Sequence, residues 1–232
     1  MIGDAGPAPL LALLQIGDSA FPIGAYAHSY GLEELIREGR IDGPDAAIAY
    51  IASTVVGPAI TADAVATARV CEAMRLGDLA TAVEVDHDLH AMKGASALRQ
   101  ASTSQGRRLL EELAATCPTD AVATFLGAIR DGATPGTHAA ALGVAAAGYD
   151  APPASAAAVL ALGLATAMLQ AAMRLLPLSH RDVQKALHQL RPTIAEASAR
   201  LAAEPPPLAA LHPLQEIAAM RRRCAAVRQF AS

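Results

Sequence analysis

Asp86, His87, Asp88 and His90 put four side chains able to ligate a metal ion within one short segment. On a helix, Asp86 and His90 share a face at i and i+4, while His87 and Asp88 point elsewhere. Two ligands on one turn hold a divalent cation weakly, and the spacing reads more simply as a solvated helix face. A helical metal-binding or storage protein built on the Asp86–His90 cluster stands as the alternative. His180 and His188 lie eight apart on one expected helix, too far to chelate a single ion together. Cys71, Cys117 and Cys224 are scattered, odd in number and in no C-x-x-C pair. That fits a reducing compartment rather than a disulfide framework or a zinc module. No stable metal site is expected.

Catalytic signatures are missing. The sequence has no G-x-x-x-x-G-K-[ST] loop to cradle phosphate, no G-x-G-x-x-G, no H-E-x-x-H and no G-x-S-x-G elbow. Few ionisable residues interrupt the apolar segments, which disfavours a buried carboxylate site. No catalytic residue is assigned. The net charge of -4 and the 3% aromatic content argue against a nucleic-acid binder, although Arg221, Arg222 and Arg223 form a small basic run.

The elements that hold these residues are helical. Apolar residues are 53% of the chain and charged residues only 17%, against about 25% charged in an average domain. Apolar positions recur at three and four residues, as in Ile36, Ile48, Ile51 and Val55 or in Leu109, Leu110 and Leu113, with no sustained alternation. Turns fall at Asp42-Gly43-Pro44, Gly57-Pro58, Cys117-Pro118, Thr134-Pro135-Gly136, Pro152-Pro153 and Pro177. Ser179 with Asp182 reads as an N-cap and acidic N3 opening a helix through Gln189. Ala151 to Met173 carries no charge and is long enough to span a bilayer of about 30 Å, yet its alanine content and its Ser155, Thr166 and Gln170 suit a buried central helix. No membrane segment is expected. No Lys or Arg precedes Arg37, so a secretory leader is not expected and the cytoplasm is the expected location. The reading is an all-α, single-domain helical bundle over residues 1–204, with a Pro-initiated C-terminal tail helix over 205–232.

The most specific stretch runs from Gln15 to Glu33. Pro22 and Gly24 make a bend, and a helix is expected to start near Tyr26 with Gly31 inside it. An interior glycine costs about 1 kcal/mol relative to alanine, which implies close approach of another backbone. Pro22, Ile23, Gly24, Tyr26, Ser29, Gly31, Leu32 and Glu33 fill the pattern P-[IV]-G-x-[YF]-x-x-S-x-G-L-E. Three further blocks follow in order: Leu98–Ser102 with Gly106–Leu110, His138-Ala139 with Gly143–Ala147, and Arg174–Ser179. On these motifs the chain resembles the UreF family of urease accessory proteins. It departs at His180, where the family usually has Gln, and at Val183-Gln184, where many members have Gly-Gln.

The resemblance implies an all-helical, non-catalytic protein of the cytoplasm that forms a homodimer. It implies binding to UreD (also called UreH), which docks on apo-urease, and recruitment of the GTPase UreG, so that nickel reaches the urease active site. Nickel would be handled transiently by the complex, with no cofactor bound stably. The resemblance places Glu33, Arg174 and Tyr26 on the GTPase side, gives Pro22, Gly24, His28, Ser29, Gly31 and Pro177 structural roles, and turns the tail to UreD. Within the tail, Ile217 and Met220 fall on one apolar helix face beside Arg221, Arg222 and Arg223. Such a face suits burial on a partner.

Overall fold

In the computed structural model, residues 6–24, 28–201, 205–210 and 212–222 are described. They form an all-α single domain, with no strand among the described residues. Helix α1 (Pro7–Gly17) begins with proline at its first turn and buries Leu13 and Ile16. Helices α2 (Leu32–Arg37) and α3 (Pro44–Thr54) follow. The Val55–Ala64 segment joins α3 to α4 (Val65–Arg75) across a kink at Gly57, whose backbone (φ -78°, ψ -118°) is not helical. The break expected at Gly57-Pro58 is present as this kink. Proline's missing N–H and ring bulk interrupt the helical hydrogen bonds there.

Side-chain caps start three of the next helices. Asp78 accepts from the Thr81 N–H at α5 (Leu79–Met92), Thr119 from Val122 at α7 (Asp120–Arg130) and Thr137 from Ala140 at α8 (His138–Gly148). Between them, α6 spans Ser96–Thr116. Helix α9 (Pro153–Leu175) leads through Pro177 into α10 (His180–Leu201), and α11 covers Pro213–Arg222. Ser179 and Asp182 form the expected reciprocal cap: Ser179 Oγ and N donate to Asp182 Oδ2 while the Asp182 N–H donates to Ser179 Oγ. The helix they open runs past Gln189 to Leu201, with Pro192 inside it.

Alanine and glycine set the packing. Every residue of α8 from Ala139 to Ala147 is buried, because α4, α6, α7 and α9 surround it. Thr67 on α4 donates through Oγ1 to the Ala139 carbonyl (2.9 Å), a bond that forms only where two backbones lie close. Helix α9, uncharged up to Met173, is the spine of the molecule. Its Ala156, Ala157 and Leu160 join one apolar core with Leu109, Leu110, Phe125 and Val144, while Ala165, Met168 and Leu169 join a second with Leu32, Ile51 and Leu190. Two stretches, Pro44–Arg75 and Pro153–Leu175, are long and apolar enough to cross a membrane, and about half of each most apolar window (44% and 50%) is buried inside the bundle. Both serve as core helices here.

Gly31 differs from expectation. It does not lie inside a helix but precedes α2 in the left-handed region (φ 85°), directly after Tyr30 (φ 51°). The Leu32 N–H closes the turn on the Ser29 carbonyl (3.0 Å). The inferred close approach is present: a Cβ at Gly31 would sit 3.1 Å from Ala218 Cβ and 3.3 Å from the Gln215 carbonyl, both on α11. Glycine is therefore required by the backbone angle and by the neighbour together.

Candidate functional site

Asp86 is neither solvated nor available to a metal. It is fully buried, and its carboxylate accepts four hydrogen bonds, from Thr134 Oγ1 (2.7 Å), Gly136 N (2.6 Å), Thr137 N (2.9 Å) and Thr137 Oγ1. These donors lie in the loop that ends at the α8 N-terminus, where backbone N–H groups and the helix dipole favour an anion. Nearby, exposed His87 meets the Ala133 carbonyl through Nε2 (2.9 Å). Among the described residues no three His, Cys, Asp or Glu side chains come together as a metal-holding group. The metal-storage alternative thus loses its first ligand, and the expected solvated face is corrected to a buried fastening of the α7–α8 loop.

What this fastening positions is His138, the first residue of α8, whose N–H donates to Ser102 Oγ (3.2 Å). Two cavities of about 60 and 70 Å³ meet at a shared wall of Tyr30, Gln105, His138 and Leu164. The first runs towards α1 and α9 past Phe21 and Gly163; the second runs under α11 to Asp63, Lys93 and Glu216. Gln105 is buried and its Nε2 has no hydrogen-bond partner among the described residues. Lys93 Nζ reaches Asp63 Oδ1 at 2.7 Å, with both side chains largely sequestered. The bundle core therefore holds a polar seam, whose Ser102 and His138 the motif blocks include without assigning them a role. Asp63 was its readable signal: the lone charge between Ala46 and Ala68 in an otherwise uncharged stretch.

Burial lowers the His138 imidazole from 6.5 to about 4, with Asp63 opposing and Lys93 adding to the shift. The unfolded chain then binds a proton that the folded chain refuses between those values, so stability is full above 6.5 and declines as pH falls towards 4. At 1.36 kcal/mol per unit the loss is bounded at about 3 kcal/mol. Denaturant midpoints of the wild type are expected to fall over this range more steeply than those of His138→Asn. Equal slopes for the two proteins would contradict a buried neutral imidazole.

The named motif residues fall into two groups. Gly24 (φ 78°) lies against the Arg108 guanidinium, which a Cβ would strike at 2.5 Å, and burial together with Arg108 lowers the pKa of His28. The first and second motif blocks are therefore in contact. Ser29 is buried, Pro22 and Pro177 are exposed turn residues, and Tyr26 lies outside the described residues. Glu33 is half-buried on α2, and Arg174 is exposed on the last turn of α9. Arg37 pairs with Glu34 (2.9 Å from Nε to Oε2).

The tail packs on its own bundle up to Arg222. The Ala209 N–H donates to the Thr61 carbonyl (3.0 Å), and the Thr61 hydroxyl returns a bond to the Ala209 carbonyl. Glu216 Oε2 accepts from the Ala95 N–H (2.5 Å) and so caps α6, which has no side-chain cap of its own. Arg221 reaches Glu38 (2.9 Å). Ala218 and Ala219 are the buried face of α11, whereas Ile217 and Met220 are 43% and 48% exposed. The Arg222 side chain and Arg223 lie outside the described residues.

A family model named UreF matches residues 41–191, which take in α3 to most of α10. The chain belongs to the UreF family. Urease accessory protein UreF 2 of Brucella abortus (strain 2308) is 33% identical over 193 residues, 83% of this chain and 79% of its own. The UreF of Paenarthrobacter aurescens (strain TC1) is 30% identical over 187 residues, 81% of each chain. That of Bacillus sp. (strain TB-90) is 27% identical over 224 residues, 96% of this chain and 99% of its own. The family model begins after the Pro22–Glu33 motif, whereas the Bacillus UreF alignment is long enough to include it. Within this UreF chain the structure joins that motif to the second block at Gly24–Arg108 and to the tail at Gly31–Ala218.

Proposed function

We propose that this chain, a urease accessory protein by its family, is a non-catalytic cytoplasmic scaffold, acting as a homodimer. It joins UreD (UreH) and the GTPase UreG on apo-urease so that nickel is inserted into the active site. The observation that carries the reading is the UreF match over residues 41–191, together with relatives aligned over more than four-fifths of the chain. The architecture supports it. Buried Asp86 is committed to positioning by its four donors, and charged or apolar side chains such as Arg174, Ile217 and Met220 stand exposed on helix faces. Glu33 and Arg174 face the GTPase in this reading, and Ile217 and Met220 face UreD. Nickel passes through the assembly as cargo and does not reside in this chain.

The decisive measurement is urease activity from a urease operon with and without this chain at fixed nickel. Activity that depends on the chain at constant urease protein supports the reading; urease that matures equally well without it overturns it. Glu33→Ala and Arg174→Ala are each expected to weaken UreG recruitment about tenfold, a 1.4 kcal/mol effect of the size found at interface anchors, while UreD binding is retained. Equal loss of both partners would show damage to the fold instead.

A further inference from the structure

The first half of α10 shows solvent a face of one sign. Arg181, Gln184, Lys185, His188 and Arg191 are all exposed. Their spacing puts them on the side of the helix opposite the buried Val183, Ala186, Leu187 and Leu190. At 1.5 Å per residue, the stripe from Arg181 to Arg191 is about 15 Å long. The one acid in this stretch, Asp182, is turned back to cap the helix through Ser179. Among the described residues, Arg181, Lys185 and Arg191 enter no ion pair. Other helices mix their exposed charges: Glu72 with Arg75 on α4, Arg107 and Arg108 with Glu111 and Glu112 on α6, Asp120 with Arg130 on α7. The contrast is sharper because the whole chain carries a net charge of -4.

We propose that this α10 face is a docking surface for a protein partner presenting an acidic surface. The fold does not need the charges, since the buried ridge of α10 already holds it on α9. Three like charges on one short face repel each other, and helical like-charge pairs at i+4 are mildly destabilising. A row of carboxylates relieves that repulsion, and the two arginines offer the planar fork that takes a carboxylate with two parallel hydrogen bonds. Gln184 and His188, between them, add further hydrogen-bonding groups along the same line. A nucleic acid fits less well, because the rest of this acidic surface repels a polyanion and stacking aromatics are few. Arg174, which the scaffold reading turns to a partner, stands on the last turn of α9, and the stripe begins in the first turn of α10 just beyond Pro177. The proposal rests on the scaffold reading only for the choice of proteins to test.

The test compares the full-length wild type with the triple variant R181Q/K185Q/R191Q, all three sites being exposed. Binding is measured to the cognate UreD, UreG and apo-urease, to a synthetic helical peptide with Glu at i, i+4 and i+7, and to a short DNA duplex. Each is measured at about 50 mM and about 300 mM salt, conditions that change the screening length roughly twofold. The wild type is expected to lose about tenfold in affinity for one protein partner at high salt. The triple variant should already be about tenfold weaker at low salt and nearly salt-independent, while R181K/R191K, which keeps the charge and loses the forks, should retain the salt dependence and recover only part of the affinity. Equal binding of every protein by wild type and variant overturns the proposal, as does a loss confined to the duplex. A wild type that binds none of the three proteins ends the scaffold reading. The stripe is then judged on the acidic peptide, where the absence of a salt-dependent difference from the triple variant overturns it.

Discussion

Asp86→Ala is expected to lower the unfolding free energy by about 3–5 kcal/mol, because the variant leaves buried donors without an acceptor. Four donors converge on this carboxylate, two of them backbone N–H groups at the start of α8, in a site whose acceptor is 0% exposed. Against a typical domain stability of about 5–15 kcal/mol the loss is large, so soluble yield should fall along with the denaturant midpoint. Asp86→Asn keeps one carbonyl oxygen for the donors but turns an amide N–H towards the others, and is expected to recover only part of the loss. A change under about 1 kcal/mol for Asp86→Ala would mean that the α7–α8 loop does not depend on this fastening. The effect is independent of metal: adding nickel should not restore either variant.

The second large effect is at Gly143. A Cβ there would lie 2.6 Å from the Thr67 carbonyl oxygen and 3.1 Å from the Cys71 nitrogen, both backbone atoms of α4. Backbone cannot swing aside as a side-chain tip does, so the helices must separate. Gly143→Val is expected to cost about 3 kcal/mol, at the upper end for overpacking. Gly143→Ala gains about 1 kcal/mol of helix propensity and is still expected to be destabilising. Gly127→Ala is the control: this glycine is also in mid-helix, but its Cβ would meet nothing within 4 Å, so the substitution should stabilise by a few tenths to about 1 kcal/mol. Denaturant midpoints of the wild type and the three variants should fall in the order Gly127→Ala, wild type, Gly143→Ala and Gly143→Val. A stabilising Gly143→Ala would show that α4 and α8 cross more loosely than described.

The helical fold was legible because its signals are local. The three- and four-residue spacing, the Ser179–Asp182 cap and the uncharged run of α9 each depend on neighbours within a few turns. What was not legible depends on partners far along the chain. Asp86 looks like part of a solvated acidic face because its four donors come from a loop about fifty residues later. Gly31 looks like a glycine inside a helix because sequence does not reveal that Tyr30 before it is also left-handed. In the tail, Ile217 and Met220 attract attention as the apolar face, yet Ala218 and Ala219 are what the bundle buries. Small size suits both: Ala218 packs against Gly31, where even an added Cβ would come within 3.1 Å of its methyl, and Ala219 packs with Ala95 and Leu98. The family motifs, in turn, drew attention to residues such as Gly24 and Gly31 without showing that they are joints between segments.

The docking of α11 has a thermodynamic consequence for assembly. Ordering a free peptide segment on a partner costs about 1–2 kcal/mol per residue in backbone entropy. Residues 213–222 meet that cost while folding, through the Glu216 cap on α6, the Arg221–Glu38 pair and the Ala218–Gly31 contact. Ile217 and Met220 are thereby held out as a rigid pair one helical turn apart. A protein that lands on them meets a preorganised surface, so more of its contact energy remains as affinity.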